Sequence, residues 1–454
     1  MNAATELARP VSANRRVLGA VSAVTIAGIA VKLVAALKEF SVADVYGRSD
    51  AYEAFLTAAL VPALLLNLVS ESMSQAMVPT FVRIRELQRP EDAQRLFSNL
   101  LFAETALLVF GSIAAGGSAH WLFLLIGSHF SPAKLNLAVH LFYGLLPLVF
   151  MAGLASNCTA VLNTMGRFAL PALAPIAGPV AILAVISLRN GVGIWAMVYA
   201  TLAGAFLQLL LLGVMTYRSG YRFTLHWYGL DEATLEVARQ YGPVLLSSVV
   251  ASSGLLVDQA MAAMLPAGSV AALAYGGRFV SVVLALLGGS VASAVTPAFA
   301  EMAAHADWEG CRKSLRTWGW ITGGAAALVS CALIFGAHTL VRLTFQHGVF
   351  NAQDSAAVSR VLAMYAIQIP FFVSSRIFYR FLIAMRRTDL IFYCGLINLA
   401  LDIVLNLLLM RWMGVAGIAL ATSLWSMSTL AFLAYWSWRV LSLRAESGMP
   451  ERVG

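Results

Sequence analysis

The sequence predicts an all-α polytopic membrane protein with about 12 transmembrane helices in two six-helix lobes. Of its 454 residues, 60% are hydrophobic and 11% are charged, whereas a soluble domain carries about 25% charged residues. Apolar stretches of about 20 residues, the length that crosses a bilayer, recur along the whole chain. The second half also repeats segments of the first at a nearly constant offset.

Twelve stretches are long and apolar enough to be spans, and a polar interruption follows the sixth. The predicted spans cover residues 17–43, 52–81, 96–118, 135–162, 169–188, 192–216, 238–265, 270–300, 317–341, 356–384, 389–410 and 414–440. The predicted domains are a cytoplasmic N-terminal segment (1–16), a first lobe (17–217), a cytoplasmic linker (218–237), a second lobe (238–440) and a cytoplasmic tail (441–454).

Lysine and arginine in the loops and near the span ends are distributed unequally between the two sides. Nineteen lie on the side of the N-terminus and six on the other. Because cytoplasmic loops are enriched in these residues, we expect both termini in the cytoplasm. The net charge of +8 then reflects orientation and contact with anionic lipid headgroups rather than nucleic-acid binding.

Similar segments relate the two halves. Ser74–Phe81 (SQAMVPTF) resembles Ala292–Phe299 (ASAVTPAF), 218 residues later, and the loops at Met165 and Met385 are 220 residues apart. Six spans per half is an even number, so both halves enter the membrane from the same side as a parallel repeat. Two such halves are typical of transporters that work by alternating access.

A strip of charged and polar side chains interrupts the apolar spans. A charge at membrane depth costs several kcal/mol, so it usually faces a protein-lined cavity or a partner. We expect the following residues to line a substrate cavity: Lys32, Lys38, Glu39, Glu71, Ser74, Gln75, Asp258, Arg278, Arg376 and Arg380.

Bases outnumber acids in this strip, which predicts an anionic substrate. The planar fork of arginine matches phosphate oxygens in a bidentate way, so a pyrophosphate group would suit it. Simpler interpretations stay open for some members. Lys38 and Glu39 could be interfacial anchors, and Asp258 could form a structural pair with Arg278. The polar side chains of span 2 could serve only to hydrogen-bond neighbouring helices.

No pattern in the sequence predicts catalysis. The four cysteines lack metal-ligand spacing, and no phosphate-binding GxxxxGK[ST] motif occurs. We therefore expect no enzyme activity, no metal and no cofactor. Transport would draw on an ion gradient, the membrane potential or the substrate gradient.

Several motifs resemble the MurJ/MviN family of lipid II flippases, within the larger group that includes MATE exporters and polysaccharide flippases. They are Ser49–Phe55 (SDAYEAF), Ser74–Pro79 (SQAMVP), Ala274–Arg278 (AYGGR), Thr296–Phe299 (TPAF) and Phe345–Phe350 (FQHGVF). The resemblance covers nearly the whole chain. It implies a MATE-like transporter fold with a central basic cavity that receives an undecaprenyl-pyrophosphate sugar.

The resemblance also assigns roles by position. Lys32 and Lys38 match two cavity arginines of span 1, and Arg278 matches a third. Arg376 matches a lysine of span 10 and Asp258 an acid of span 7. The chain differs from the family in span 2, where LLLN replaces a stretch that usually carries an arginine pair.

We therefore expect a flippase in the bacterial inner membrane that moves an undecaprenyl-pyrophosphate-linked glycan precursor, foremost peptidoglycan lipid II, by alternating access. Its partners would be that glycan, membrane lipids and a coupling ion. One alternative is a flippase for exopolysaccharide or O-antigen repeat units. Others are a MATE-like small-molecule antiporter, in which cavity acids would dominate, and a non-transporting scaffold of envelope assembly.

Overall fold

A computed structural model describes residues 13–87, 89–188 and 193–447, with only the backbone described in 13–23, 288–298, 300, 304 and 445–447. The predicted cytoplasmic ends lie partly outside these ranges. The described residues form helices joined by short connections, with no strand among them. The first half contains α1 (Ala13–Tyr46), α2 (Asp50–Leu65), a π-helix (Leu66–Glu71), α3 (Ser72–Glu86), α4 (Pro90–Gly117), α5 (Ala119–Ile126), α6 (Pro132–Thr164), α7 (Ala169–Leu173), a 3₁₀ turn (Ala174–Ile176), α8 (Ala177–Ser187) and α9 (Trp195–Arg218). The second half contains α10 (Glu232–Ala263), α11 (Ser269–Ala304), α12 (Trp308–Phe345), α13 (Ala352–Ala366), α14 (Gln368–Ala384), α15 (Thr388–Met413) and α16 (Val415–Ser447).

The helices confirm the all-α polytopic architecture. Within the described ranges, eleven segments are long and apolar enough to cross a membrane, and they coincide with the predicted spans 2 to 12. The predicted first span falls on α1. Span 2 is α2, the π-helix and α3 in succession, and span 10 joins α13 to α14. The cytoplasmic location of both termini stays a prediction.

The π-helix interrupts span 2 directly before the SQAMVP motif. A π turn inserts one extra residue into the helix and rotates the residues after it. Glu71, the last residue of this turn, and Gln75, which follows it, are exposed. Ser74 is buried instead and lies 2.9 Å, Oγ to Oγ, from Ser156 of α6. Ser74 is a member of the predicted polar face of span 2, and it therefore contributes to helix packing.

The chain forms two compact units that do not follow the halves of the sequence. Unit 1 comprises Met1–Lys38, Val69–Phe110 and Leu146–Gly242, and unit 2 comprises Glu39–Leu68, Gly111–Leu145 and Pro243–Gly454. Parts of spans 1 to 4 thus belong with the second half of the chain. The division into two six-helix lobes, which rests on the sequence repeat, stays a prediction.

The core of unit 1 holds the predicted linker in place. Side chains of α3, α4 and α6 pack together with Tyr221 and Val237. The connection from α9 to α10 lies along α4, where Asn99 Nδ2 donates to the Gly229 carbonyl at 2.9 Å and to Thr234 Oγ1 at 3.0 Å. The Tyr228 N–H donates back to Asn99 Oδ1 at 2.7 Å. The linker is therefore a docked strap rather than a loose connection.

A buried ion pair organises unit 2. Glu53 of α2 is 1% exposed, and its Oε2 lies 2.5 Å from Lys134 Nζ of α6. Lys134 also contacts Asp50 at 2.7 Å. The Ala271 N–H of α11 donates to Glu53 Oε1 at 3.0 Å. One carboxylate thus connects three helices, two from the first half of the chain and one from the second.

Replacing one member of the Glu53–Lys134 pair is expected to destabilise the protein more than replacing both. Lys134→Met leaves a buried carboxylate uncompensated, a loss of about 3–5 kcal/mol. The double variant Glu53→Gln/Lys134→Met should regain much of that loss. Thermal unfolding in detergent measures the effect.

The matched control is Arg83→Gln, which removes an ion pair with Glu236 whose side chains are 51% and 37% exposed. It should change stability little, because surface ion pairs contribute about 0–1 kcal/mol. Equal midpoints for Lys134→Met and Arg83→Gln would contradict the role of Lys134.

Candidate substrate-binding site

Arg278 and Glu39 form an ion pair within the polar strip. Arg278 Nε of α11 lies 2.9 Å from Glu39 Oε1 of α1, and both residues belong to unit 2. The arginine side chain is 53% exposed and the glutamate side chain 6%. Glu39 is therefore a buried partner rather than an interfacial anchor. Arg278 makes this contact through Nε, so its two Nη groups can still donate hydrogen bonds.

Tyrosines fix the helices that carry this pair. Tyr275 of the AYGGR motif stacks on Tyr52 of the SDAYEAF motif, with ring centroids 5.4 Å apart. Its hydroxyl donates to the Gly47 carbonyl at 3.1 Å. Tyr275 is fully buried and precedes Arg278 by three residues, so the arginine projects from a rigid part of α11.

The FQHGVF motif packs against the same region of unit 2. The Val349 N–H donates to the Asp44 carbonyl at 3.1 Å. Gly348 has φ +55°, and a β-carbon there would overlap that carbonyl oxygen, so only glycine fits. Phe345 and Phe350 both pack against Tyr275. The motif thus anchors the end of α1 against the second half of the chain.

Arg376 and Arg380 lie one turn apart on α14. The Arg376 guanidinium lies over the Phe372 ring, 4.2 Å from its centroid, with Tyr379 at 5.8 Å. An aromatic face orients a guanidinium without neutralising it. Arg376 therefore keeps its full charge, which suits an anion-binding group. The Nε of Arg380 is buried and makes no hydrogen bond within the described part of the chain.

The other basic members of the strip lie in unit 1. Lys32 is exposed on α1, and Lys38 is half-buried near the end of that unit's share of the helix. The structure brings Glu39 and Arg278 together, and it leaves the grouping of Lys32 with Arg376 as a prediction.

Asp258 pairs with polar groups rather than with Arg278, so the alternative of a structural Asp258–Arg278 pair is wrong. Asn406 Nδ2 of α15 donates to Asp258 Oδ1 at 2.8 Å and to Asp402 Oδ1 at 3.2 Å. The Thr422 hydroxyl of α16 contacts Asp258 Oδ2 at 3.2 Å. One amide therefore bridges two buried carboxylates of different helices.

Four buried polar residues have no role that the sequence predicts. Glu104 and Asp402 stood out only as intramembrane acids, and Glu53 and Lys134 lay at the ends of predicted spans. Glu53 and Lys134 are 81 residues apart along the chain, so their pairing cannot be recognised from the sequence. The only signal was an acid in the first turns of a span with a lysine at the start of another.

The motifs that build this geometry also match a known family. The profile of the lipid II flippase MurJ family matches residues 42–449. The chain belongs to the lipid II flippase MurJ family. Membership places it in the bacterial inner membrane as a multi-pass transport protein, and it confirms the resemblance carried by the motifs.

Relatives of known sequence agree with this family. The probable lipid II flippase MurJ of Buchnera aphidicola is 22% identical over 405 residues, 87% of this chain and 78% of that protein. The lipid II flippase MurJ of Burkholderia cenocepacia is 27% identical over 351 residues, 73% and 66% of the two chains.

The fold is likewise shared with solved transporters. A lipid II flippase MurJ structure in an inward closed conformation superposes with a TM-score of 0.79 at 20% identity, covering 94% of this chain and 93% of that one. An inward-facing multidrug resistance MATE family transporter gives 0.76 at 16% identity, covering 92% and 96%. The expected MATE-like transporter fold is confirmed.

The unequal burial of Glu39 and Arg278 predicts an unequal response to mutation. Arg278→Gln leaves a buried carboxylate without its guanidinium, which should cost about 1–3 kcal/mol. Glu39→Gln leaves a half-exposed guanidinium, which water can solvate, and should cost less. Thermal unfolding of the two purified variants distinguishes them. A larger loss for Glu39→Gln would show that Arg278 does not stabilise Glu39 in the way described.

Proposed function

We propose that this protein translocates lipid II, an undecaprenyl-pyrophosphate-linked glycan, across the inner membrane by alternating access. Family membership gives the substrate class. The basic majority of the intramembrane strip supports it independently, because a pyrophosphate needs cationic donors in a medium of low dielectric. The same majority argues against a small-molecule antiporter for cationic compounds.

Arg278 is the principal pyrophosphate-binding residue in this proposal. Glu39 holds one edge of its guanidinium at 2.9 Å, and Tyr275 fixes the helix beneath it. The Nη groups then form a preoriented fork for two phosphate oxygens. Arg376, held by aromatic rings, would be a second donor within unit 2. The roles of Lys32 and Lys38 rest on the resemblance by position.

The other members of the strip receive supporting roles in the proposal. Glu71 and Gln75 are exposed hydrogen-bonding groups that suit sugar hydroxyls, whereas Ser74 stabilises the helix that presents them. Arg380 would reinforce the positive field beside Arg376. The prenyl tail would remain in lipid throughout, since burying it in protein brings no gain.

Complementation tests the cargo directly. The wild-type chain is expected to support growth of a bacterial strain depleted of its own MurJ, and Arg278→Ala is expected to fail because the pyrophosphate loses its oriented donor. Arg411→Ala, at the exposed end of α15, is the matched control and should still rescue growth.

Membrane levels of each variant must be equal for the comparison to hold. If the well-expressed wild-type chain does not rescue growth, lipid II is not its cargo. Rescue by Arg278→Ala at wild-type levels would instead remove Arg278 from the binding site.

A coupling cation is the second part of the proposal, and it involves the paired acids of unit 2. Two adjacent buried carboxylates repel each other unless a proton or cation compensates them. Asp402 Oδ2 and Asn406 Oδ1 are buried without hydrogen-bond partners among the described residues. Together with Asp258 and Thr422 they offer hard oxygen donors, the kind that alkali and alkaline-earth cations prefer. Na⁺ is a hard cation of this kind, and we propose it as the ion that these residues bind.

Sodium is therefore expected to stabilise the purified protein by mass action on the folded state. Its thermal midpoint should rise when choline chloride is replaced by NaCl at equal ionic strength, and Asp402→Asn should abolish the rise. Asp389→Asn, an exposed acid on the same helix paired with Arg387, should retain it. Equal midpoints in the two salts for the wild-type protein would exclude a sodium site here.

A further inference from the structure

Glu104 of α4 is a buried acid in unit 1 that the substrate strip does not include. Its side chain is 1% exposed. Asn157 of α6 donates a hydrogen bond from Nδ2 to Glu104 Oε2. Glu104 Oε1 is buried and has no hydrogen-bond partner within the described part of the chain. The ion pairs that the described residues form involve other carboxylates.

Ser70 shares a small space with this unpartnered oxygen. A β-carbon built on Gly153 would lie 2.9 Å from Ser70 Oγ and 3.1 Å from Glu104 Oε1. The absence of a side chain at Gly153 therefore lets both oxygens, together with Leu108 Cδ1 at 2.6 Å, approach the same point. Ser70 is fully buried, and its hydroxyl also lacks a partner among the residues described. So does Asn157 Oδ1.

An ionised carboxylate in this position would be a buried charge without a fixed cation. Such a charge is strongly destabilising, and the group takes up a proton or a metal ion instead. Two oxygens, Glu104 Oε1 and Ser70 Oγ, border the space. Ca²⁺ and Mg²⁺ sites use about six or more ligands, so the geometry favours the smallest cation.

We propose that Glu104 is a proton-binding site of this protein, with Ser70 as the partner of the bound proton. In the loaded form the Glu104 O–H donates to Ser70 Oγ. When the proton leaves to water, the Ser70 hydroxyl rotates and donates to the carboxylate. A hydroxyl can exchange these roles because it is both donor and acceptor. The proposal adds a proton to the cation already assigned to the acids of unit 2.

The position of Ser70 connects the proton to the shape of span 2. Ser70 belongs to the π-helix Leu66–Glu71, and unit 1 resumes at Val69 within that helix. π turns are rare in α-helices and occur frequently at functional sites. Loss of the proton therefore changes a hydrogen bond at the irregular turn of the span.

Other titratable groups surround the site and must be separated from it experimentally. The carboxylate of Glu71 from the π-helix, the Cys158 thiol of α6 and the Tyr241 hydroxyl of α10 all interact electrostatically with Glu104. The test must therefore detect the protonated carboxyl itself rather than a general pH effect.

Infrared difference spectroscopy on the purified full-length protein detects a protonated carboxyl through its C=O stretching band. On raising the pH, the wild-type protein should lose such a band, and Glu104→Gln should lack that component. Glu91→Gln, an exposed acid on the same helix, should retain it. Glutamine is isosteric with the neutral acid, so the variant should fold.

A wild-type spectrum in which Glu104→Gln removes no protonated-carboxyl component at any pH overturns the proposal. So does a component of this kind that appears only when Na⁺ is removed, because the site would then bind a metal ion.

The transport consequence rests on the proposed function and needs a separate measurement. In vesicles containing a prenyl-pyrophosphate lipid, the wild-type rate should change with pH, whereas the Glu104→Gln rate should be the same at acidic and alkaline pH. Ser70→Ala should shift the wild-type profile. If the wild-type protein moves no lipid, the proposed function fails, and the infrared result still decides the proton site. A Glu104→Gln profile identical to wild type overturns the coupling.

Discussion

A carboxylate buried away from water must be compensated where it stands, and the structure solves this problem in two ways. Glu53 and Glu39 have fixed cations, Lys134 at 2.5 Å and Arg278 at 2.9 Å. These pairs connect helices from distant parts of the chain within unit 2. Among the described residues, Asp258 and Glu104 receive hydrogen bonds from neutral groups only. We assign to those two the exchangeable cations, a metal ion and a proton.

The same rule applies to the bases. Arg278 is partly neutralised by Glu39, and the face that remains is available to an anion. Arg376 is held by aromatic rings and forms no ion pair with the residues that the structure describes, so its charge is oriented by the rings alone. A protein that maintains such bases at membrane depth bears a free-energy cost. The proposed pyrophosphate substrate offsets that cost each time it binds.

The sequence predicted the spans well because hydrophobic length is a local property. It also predicted Arg278 and Asp258 as special, since charges in apolar segments are rare. Their partners were not predictable, because Glu39 and Arg278 are far apart in sequence. The pairing of Lys134 with Glu53 was not predictable either, since a lysine at the end of a span resembles an interfacial anchor. The π-helix, which turns Ser74 inward, leaves no distinct mark on hydropathy.

Selective binding of a pyrophosphate lipid tests the central claim most directly. Native mass spectrometry of the purified protein, offered equal amounts of undecaprenyl pyrophosphate and phosphatidylglycerol, measures which lipid stays bound. We expect the pyrophosphate lipid to be retained in preference by the wild-type chain and the preference to be lost in an Arg278→Gln/Arg376→Gln variant. Equal retention of both lipids by the wild-type protein would contradict the assignment of the intramembrane bases to pyrophosphate.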